Sequence, residues 1–311
     1  MKAMRFHQYG SPDVLRYEDI DQPIPGPGEV RLHVAATSFN PVDAAIRAGF
    51  MRQVFPVALP HVPGIDVAGT VDALGTGVSG LRVGDAVIGF LPMVADGAAA
   101  EYALAPAEVL AAAPTTIPLA EAAALPAVGL TAWQALFEHA GVRPGQRVLV
   151  NGAGGAVGGY AVQLAKRAGA EVLATASPRS LERVRAAGAD LVIDHTATNV
   201  PGAVNGSLDV VLNVAPVEPQ ELAALTALIR PGGLVLSTTT PASGDESRRV
   251  RGVQVYVRSD AERLAKLVAL IDAGQLHVNV AERVPLAELP RVHTQAVTGA
   301  LPGKVVLVPA A

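Results

Sequence analysis

The chain has 311 residues, beyond the size at which a single hydrophobic core keeps growing, so its length predicts two domains. Half of the residues are hydrophobic and 17% are charged, which excludes a disordered chain, and a net charge of −4 with no basic run excludes nucleic acid as the main partner. There is no cysteine, so disulfides, cysteine-ligated zinc and thiol catalysis are excluded as well.

Met1 to Gly10 is mixed polar and lacks a long apolar run, so no secretory signal is expected. After the Pro/Gly cluster Pro23 to Gly28, Val30 to Ala36 reads as a strand. Asp66 to Ala73 and Asp85 to Phe90 follow, separated by Gly75, Gly77, Gly80 and Gly84. Short strands at this spacing predict a small barrel or sandwich, with little helix before Leu119. Leu119 to His139 has helix-forming composition. Its apolar part, Leu119 to Ala132, is too short to span a bilayer and contains Glu121, Pro126 and Gly129. A cytoplasmic protein with no membrane partner is therefore expected.

Beyond Gly141 strands and helices alternate. Strands are predicted at Arg147 to Val150, Glu171 to Thr175, Leu191 to Ile193, Asp209 to Val214 and Leu234 to Thr238. Helices are predicted at Val157 to Ala168, Ser180 to Ala187 and Pro219 to Ile229. That alternation implies an α/β fold with a doubly wound parallel sheet and right-handed crossovers. A further helix runs from Asp260 through Ala273, and the chain closes with a strand at Lys304 to Val308.

The informative stretch is Val148-Leu149-Val150-Asn151-Gly152-Ala153-Gly154-Gly155-Ala156-Val157-Gly158. A buried strand runs into a glycine-rich turn that opens a helix, whose apolar stripe is Val157, Ala161, Leu164, Ala165 and Ala168. Gly152 and Gly155 allow a tight turn and close approach of a pyrophosphate, and Gly158 allows close packing of the helix. Free N–H groups from Gly154 through Ala156 and Val157, with the helix dipole, attract phosphate. The order differs from G-x-G-x-x-G, because Ala153 stands at its first position. The strand before, the helix after and the second strand at the expected distance carry the dinucleotide reading.

Charge indicates which dinucleotide. A site for NAD places Asp or Glu at the end of the second strand, on the ribose hydroxyls. Here that end reads Thr175-Ala176-Ser177-Pro178-Arg179, and Glu171 sits at the wrong end of the strand. Arg179, with Ser177 as hydrogen-bond partner, suits the 2′-phosphate of NADPH, and Arg183 is a second candidate.

The segments Asn40-Pro41-Val42-Asp43, Pro63-Gly64-Ile65-Asp66-Val67-Ala68-Gly69, Gly129-Leu130-Thr131-Ala132-Trp133, Val148 to Gly158, Val162-Gln163-Leu164-Ala165-Lys166, Gly188-Ala189-Asp190 and Gly303-Lys304-Val305-Val306-Leu307 occur in order along the whole chain. Together they resemble the zinc-independent quinone oxidoreductase branch of the medium-chain dehydrogenase/reductase superfamily. The resemblance implies a GroES-like barrel formed by both chain ends, 1–118 and 257–311, around a Rossmann domain at 119–256. It also implies an active-site cleft between domains, a homodimer, and hydride transfer from NADPH to quinones or to the β-carbon of enones and enals.

Residue by residue, the resemblance places Asn40 and Pro41 beside the nicotinamide and Thr131 near the nicotinamide-side phosphate. His195 falls where relatives carry tyrosine near the adenosine ribose, although it also suits an exposed site. Asn213, Val214 and Ala215 end the fourth strand and Thr238 the fifth, where open α/β sheets meet ligands. Lys304 either approaches the cofactor or is a solvated charge at a strand edge. Asn40 is the candidate catalytic donor to the oxygen on which charge develops, against a structural turn before Pro41. Zinc-dependent relatives place a histidine where this chain has Ile65, and His61 reads as a surface or hinge residue. The segment just after Asn40 to Asp43 holds no tyrosine, where many relatives carry one; Ala45, Ile46, Phe50 and Met51 stand there, so a water-derived proton and a hydrophobic acceptor are expected. Arg248, Arg249 and Arg251 lie in the expected specificity loop Thr240 to Arg258, which reads as a solvated loop or, as the alternative, a site for an acidic substrate. The competing functions are a zinc-independent carbonyl reductase and a protein that binds NADPH as a sensor or structural component.

Overall fold

The computed structural model describes residues 1–310, which divide into two compact units, Met1 to Ala127 with the segment from Ser259 onward, and Val128 to Arg258. The first unit opens with β1 (Lys2–Phe6), β2 (Leu15–Asp19), β3 (Glu29–Ser38), α1 (Pro41–Ala48), β4 (Asp66–Leu74), β5 (Ala86–Phe90), β6 (Tyr102–Pro106), β7 (Leu110–Ala112) and α2 (Leu119–Ala122). Next come α3 (Pro126–Trp133), a π-helical stretch Gln134–His139, β8 (Arg147–Asn151), α4 (Ala156–Arg167), β9 (Glu171–Ala176), α5 (Leu181–Ala186), β10 (Leu191–Asp194), α6 (Val200–Ala203), β11 (Leu208–Asn213), α7 (Pro219–Thr226), β12 (Ile229–Ser237) and β13 (Arg251–Gln254). The chain returns to the first unit as α8 (Ala261–Asp272), β14 (Glu282–Pro285), α9 (Leu289–Val297) and β15 (Val305–Val308).

In the first unit a seven-stranded sheet runs β14-β15-β3-β4-β5-β7, with β6 also paired to β3. Both chain ends build it, because β15 adds antiparallel to the end of β3 through Val306–Ser38 and Leu307–Thr37. Along β3, Val30, Leu32, Val34 and Ala36 are buried at period two, the pattern of a strand with one face on a core. Val30, Leu32 and Val34 pack with Val67, Val71 and Val87. A second core gathers Met4, Phe6, Phe39, Ile46, Val292 and Leu307.

The second unit holds a six-stranded sheet ordered β10-β9-β8-β11-β12-β13, parallel throughout. Chain order reverses between β8 and β11, the switch point beyond which doubly wound sheets place ligands. Leu149, Leu173, Val211, Leu222 and Val235 fill its core. On α4 the expected stripe is buried at Ala161, Leu164 and Ala165 and half-buried at Val157 and Ala168, while Tyr160 and Val162 are buried in addition.

The structure departs from the sequence reading at several elements. Leu119 to His139 is not one helix: Pro126 starts a new helix at its first position, where a missing N–H costs nothing. Ala122 to Ala132 is buried on every side, so no amphipathic stripe marked its ends. The break between units falls after Ala127 rather than 118, because α2 packs on β3, β4 and β15. It returns after Arg258 rather than 256. α7 stops at Thr226, three residues short of Ile229, which already belongs to β12. The Arg248 guanidinium accounts for that stop. It donates to the carbonyls of Thr226, Ala227 and Ile229 and pairs with Asp245, so Arg248 is a helix-end clamp and not a solvated charge. α1, α9 and the edge strand β13 had no counterpart in the sequence reading.

Candidate functional site

The glycine loop joins β8 to α4. Gly152 has φ +92°, and a Cβ there would lie 3.0 Å from Ala215. At Gly158 a Cβ would meet the Gly152 carbonyl at 2.4 Å and Ala153 Cα at 2.5 Å. Gly158 therefore lets the first turn of α4 close onto the loop itself, where the sequence reading had it pack on the strand. Some loop N–H groups are committed. Gly152 donates to Thr175 Oγ1 at 2.8 Å, Ala153 to the Thr175 carbonyl and Gly155 to the Gly152 carbonyl. Those of Gly154, Ala156, Val157 and Gly158 take no partner among the described residues, and they sit at the positive end of a twelve-residue helix. That is an anion cradle.

A polar ladder that the sequence reading missed fixes this loop to the sheet. Thr175 Oγ1, at the end of β9, also donates to Asn151 Oδ1 at 2.8 Å. Asn151 Nδ2 donates to Asn213 Oδ1 at 2.8 Å. Asn213 Nδ2 reaches the Ala215 carbonyl at 3.0 Å, Ser237 Oγ at 3.1 Å and Thr239 Oγ1 at 3.2 Å. The ends of β9, β8, β11 and β12 are thus tied by side chains that are themselves buried. The available signal was a polar residue ending each of several apolar runs, since buried polar groups must find partners.

Beyond these strand ends lies a cleft of about 600 Å³ whose wall includes Asn151, Gly152, Thr175, His195, Ala215 and Glu221. The cleft brings together Gly152, His195 and Ala215 from the predicted set. Ser177 is half-buried and Arg179 exposed just after β9, outside the lining. The Arg179 side chain has no hydrogen bond or ion pair among the described residues. Arg183, by contrast, donates to the Gly154 carbonyl at 2.8 Å and so is anchored to the glycine loop. Thr131 is buried on α3, Val214 and Ala215 are half-buried after β11, and Thr238 donates its N–H to the Asn213 carbonyl.

Asn40, Pro41 and Lys304 lie in the first unit. Asn40 caps α1, Pro41 is its first residue, and Asp43 accepts the Asn40 N–H at 3.0 Å. The Asn40 carboxamide turns away from the helix. Its Nδ2 donates to Asp66 Oδ2 at 2.8 Å and to the Ser38 carbonyl at 3.3 Å, and its Oδ1 accepts from Lys304 Nζ at 2.7 Å. Lys304 is 6% exposed, so it is not the solvated edge charge that was one expectation. Its ammonium donates also to the Phe39 carbonyl at 3.1 Å and to Asp66 Oδ2 at 3.2 Å.

Asp66 is the hub. Fully buried, it also accepts Ser38 Oγ at 2.6 Å and, through Oδ1, the Ala127 N–H at 2.7 Å at the start of α3. Removing one member of such a buried pair typically costs about 3–5 kcal/mol, because the other is left uncompensated. Asp43, also buried, accepts the N–H groups of Asn40 and Gly64, tying two of the motif segments together. Burial pushes its carboxyl up to about 6; those two N–H groups and Lys304 pull the other way, and Asp66 adds to the rise. A carboxylate opening an apolar strand was the signal for Asp66, since an unpaired buried charge is untenable. His61 is buried rather than on the surface, with Nδ1 3.3 Å from Asp96 Oδ1 and its ring against Phe6.

Comparison with known proteins agrees with this organisation. Residues 26–115 match the family model of the alcohol dehydrogenase GroES-like domain, and residues 187–307 that of zinc-binding dehydrogenase. A chloroplast envelope quinone oxidoreductase homolog of Arabidopsis thaliana is 32% identical over 99% of this chain and 98% of its own. An NADPH-dependent alkenal/one oxidoreductase of the same plant is 34% identical over 99% of this chain and 80% of its own. Among solved structures, the quinone oxidoreductase of Coxiella burnetii superposes with a TM-score of 0.91 at 29% identity, over 99% of both chains.

The second family model raises zinc, and the donor set does not fit it. The chain has no cysteine, and among the described residues no three histidine or carboxylate side chains converge on a point that could hold a metal ion. Ile65 stands beside Asp66, and that carboxylate already neutralises the buried Lys304 ammonium.

Proposed function

We propose a function from one premise, that the chain belongs to the quinone oxidoreductases of the medium-chain dehydrogenase/reductase superfamily. It is an NADPH-dependent enzyme that reduces quinones or α,β-unsaturated carbonyls without zinc. The observation that carries this reading is the end of β9. No carboxylate stands there, the Thr175 hydroxyl is turned inward to Gly152 and Asn151, and the Arg179 guanidinium is unpartnered and exposed. A free guanidinium in that position suits a 2′-phosphate, while a ribose with two free hydroxyls finds no carboxylate there.

The cofactor, when bound, supplies the hydride. The free N–H groups at the start of α4 hold the pyrophosphate, Arg179 the 2′-phosphate with Ser177 beside it, and Arg183 keeps the glycine loop in place through Gly154. His195, Asn213, Val214, Ala215 and Thr238 complete the dinucleotide site in this reading, with Thr131 on the nicotinamide-side phosphate. An enone gains hydride at its β-carbon and a water-derived proton at its α-carbon; a quinone gains the same pair and becomes a hydroquinone. Asn40 acts by positioning. Both of its N–H groups are committed to Ser38 and Asp66, so it holds the Asn40-Pro41 turn in place and does not itself donate to the acceptor oxygen. Lys304 acts through the same network, with its N–H groups committed. No tyrosine stands around Ala45 to Met51, and the apolar side chains Ala45, Ile46, Phe50 and Met51 in its place favour a hydrophobic acceptor. A homodimer is part of the same reading.

The decisive experiment compares kcat/KM for NADPH and NADH in wild type and in Arg179→Ala. A loss of one charge-assisted contact predicts a fall in the NADPH-over-NADH ratio of about tenfold or more. An unchanged ratio in Arg179→Ala would refute the assignment of the 2′-phosphate to Arg179.

A further inference from the structure

The chain carries asparagine followed by glycine twice, at Asn151-Gly152 and at Asn205-Gly206. Such a pair can react with itself, because glycine has no side chain to keep its backbone nitrogen away from the asparagine amide carbon. The remaining asparagines stand before Pro41, Val200, Val214 and Val280. Proline has no N–H to lose, and the branched Cβ of valine crowds the approach.

The fold gives the two pairs opposite surroundings. Asn151 is buried, and its carboxamide is locked at both ends, Oδ1 by the Thr175 hydroxyl and Nδ2 by Asn213. The Gly152 N–H, which would have to attack, is donated to Thr175 Oγ1 at 2.8 Å. Asn205 and Gly206 lie in the turn between α6 and β11, and both are exposed. Neither the Asn205 side chain nor the Gly206 N–H has a hydrogen bond among the described residues. Here freedom and solvent access are what the chemistry needs, since the attacking nitrogen must give up its proton to water and the amide must swing toward it.

We propose that Asn205 is a site of spontaneous modification, and that the strand-end ladder shuts off the same reaction at Asn151. The Gly206 nitrogen loses its proton to solvent base and bonds to Asn205 Cγ. The Cγ–Nδ2 bond breaks, and the amide leaves as ammonia with a proton from solvent, giving a cyclic imide. Water then opens the ring. Breaking the bond from the Gly206 nitrogen to Cγ leaves aspartate; breaking its bond to the main-chain carbonyl carbon leaves isoaspartate, with the backbone rerouted through the side chain. Water is the only co-reactant, and nothing is oxidised or reduced. Either product adds one negative charge to the chain. Isoaspartate also lengthens the link between Val204 and Leu208, both of which are buried.

The test holds the full chain at pH 8 without nucleotide and follows each asparagine by peptide mapping that separates asparagine, aspartate and isoaspartate. Asn205 is expected to convert at least about tenfold faster than Asn151, because the bonds on Asn151 and Gly152 must open first. An acidic form should grow on ion exchange at the rate of Asn205 conversion, and Asn205→Ser should remove it. In urea, with the ladder gone, the two sites should convert within about threefold of each other, as two asparagine–glycine pairs in an open chain. Thr175→Val, which frees both the Gly152 N–H and Asn151 Oδ1, should raise Asn151 conversion about tenfold in the folded chain. An Asn205 that stays intact in the folded chain, or converts no faster than Asn151, overturns the site. A rate gap that persists in urea overturns the shielding, since it would then belong to the local sequence and not to the ladder.

Discussion

Asp43 shows how one side chain can serve geometry at a cost in charge. Both of its oxygens accept backbone N–H groups, one from Asn40 and one from Gly64, yet burial pushes its carboxyl up to about 6. A folded-state value raised above the ordinary 3.8 means that the folded chain holds the proton more tightly than the unfolded chain does. Its contribution to stability is then fully present below pH 3.8 and is lost as pH rises through about 6. The interval corresponds to about 3 kcal/mol. Asp43→Asn removes the titration but leaves one of the two N–H groups facing an amide donor, so the variant is less stable at every pH. The informative quantity is the stability difference between wild type and variant. Urea unfolding from pH 4 to pH 8 should show the wild-type advantage shrinking by up to about 3 kcal/mol. An advantage that grows with pH would mean that the two N–H groups and Lys304 outweigh burial and hold the carboxyl below its usual range.

At the scale of elements, the ladder across the strand ends makes the glycine loop an extension of the sheet. Thr175→Val keeps the shape of β9 but strands the Gly152 N–H and frees Asn151 Oδ1. Leaving a buried donor unsatisfied costs about 1–3 kcal/mol. The predicted result is lower thermal stability together with a KM for NADPH raised about tenfold at near-constant kcat, because a loosened loop no longer holds its free N–H groups toward the phosphates. Lower stability with an unmoved KM would show that the ladder is structural only. The β8–loop–α4 element was legible in the sequence because its determinants are local: an apolar run, glycines, a helical stripe. The ladder rungs, at separations of 24 and 62 residues, were not, since nothing in the chain announces which polar strand end meets which. The cluster of the first unit was still less legible. Lys304 meets Asn40 and Asp66 across 264 and 238 residues, and only the fold brings β15 beside β3. Resemblance supplied the motif segments that contain Asn40, Asp66 and Lys304, but not the bonds among them. Burial of α3 on all sides erased the periodicity that would have fixed its ends, and α1 is too short to show one before its proline start is recognised.

The whole molecule raises the question of its edges. β13 ends the six-stranded sheet; Asp245 bridges to Val250 and Gly244 lies against Gly252, so the chain itself covers the first part of this edge. Val255, just past β13, donates inward to the Ser237 carbonyl. By strand alternation Val253 also faces β12, and Gln254 turns its N–H group outward. Tyr256 beside this edge is 76% exposed. An unpaired strand edge next to an exposed aromatic is a template for pairing with another strand. In a twofold homodimer the natural partner is the same edge of a second copy, antiparallel about the axis. Sedimentation of wild type is accordingly expected to give a dimer. Gln254→Pro removes an outward N–H without touching the β12 ladder, and Tyr256→Glu places charge in the proposed contact. Either change should shift the chain toward monomer while leaving the far-ultraviolet spectrum and NADPH binding in place, because the cleft and glycine loop lie on other strands. A monomeric wild type, or a dimer that survives both substitutions, would show that β13 is not the interface.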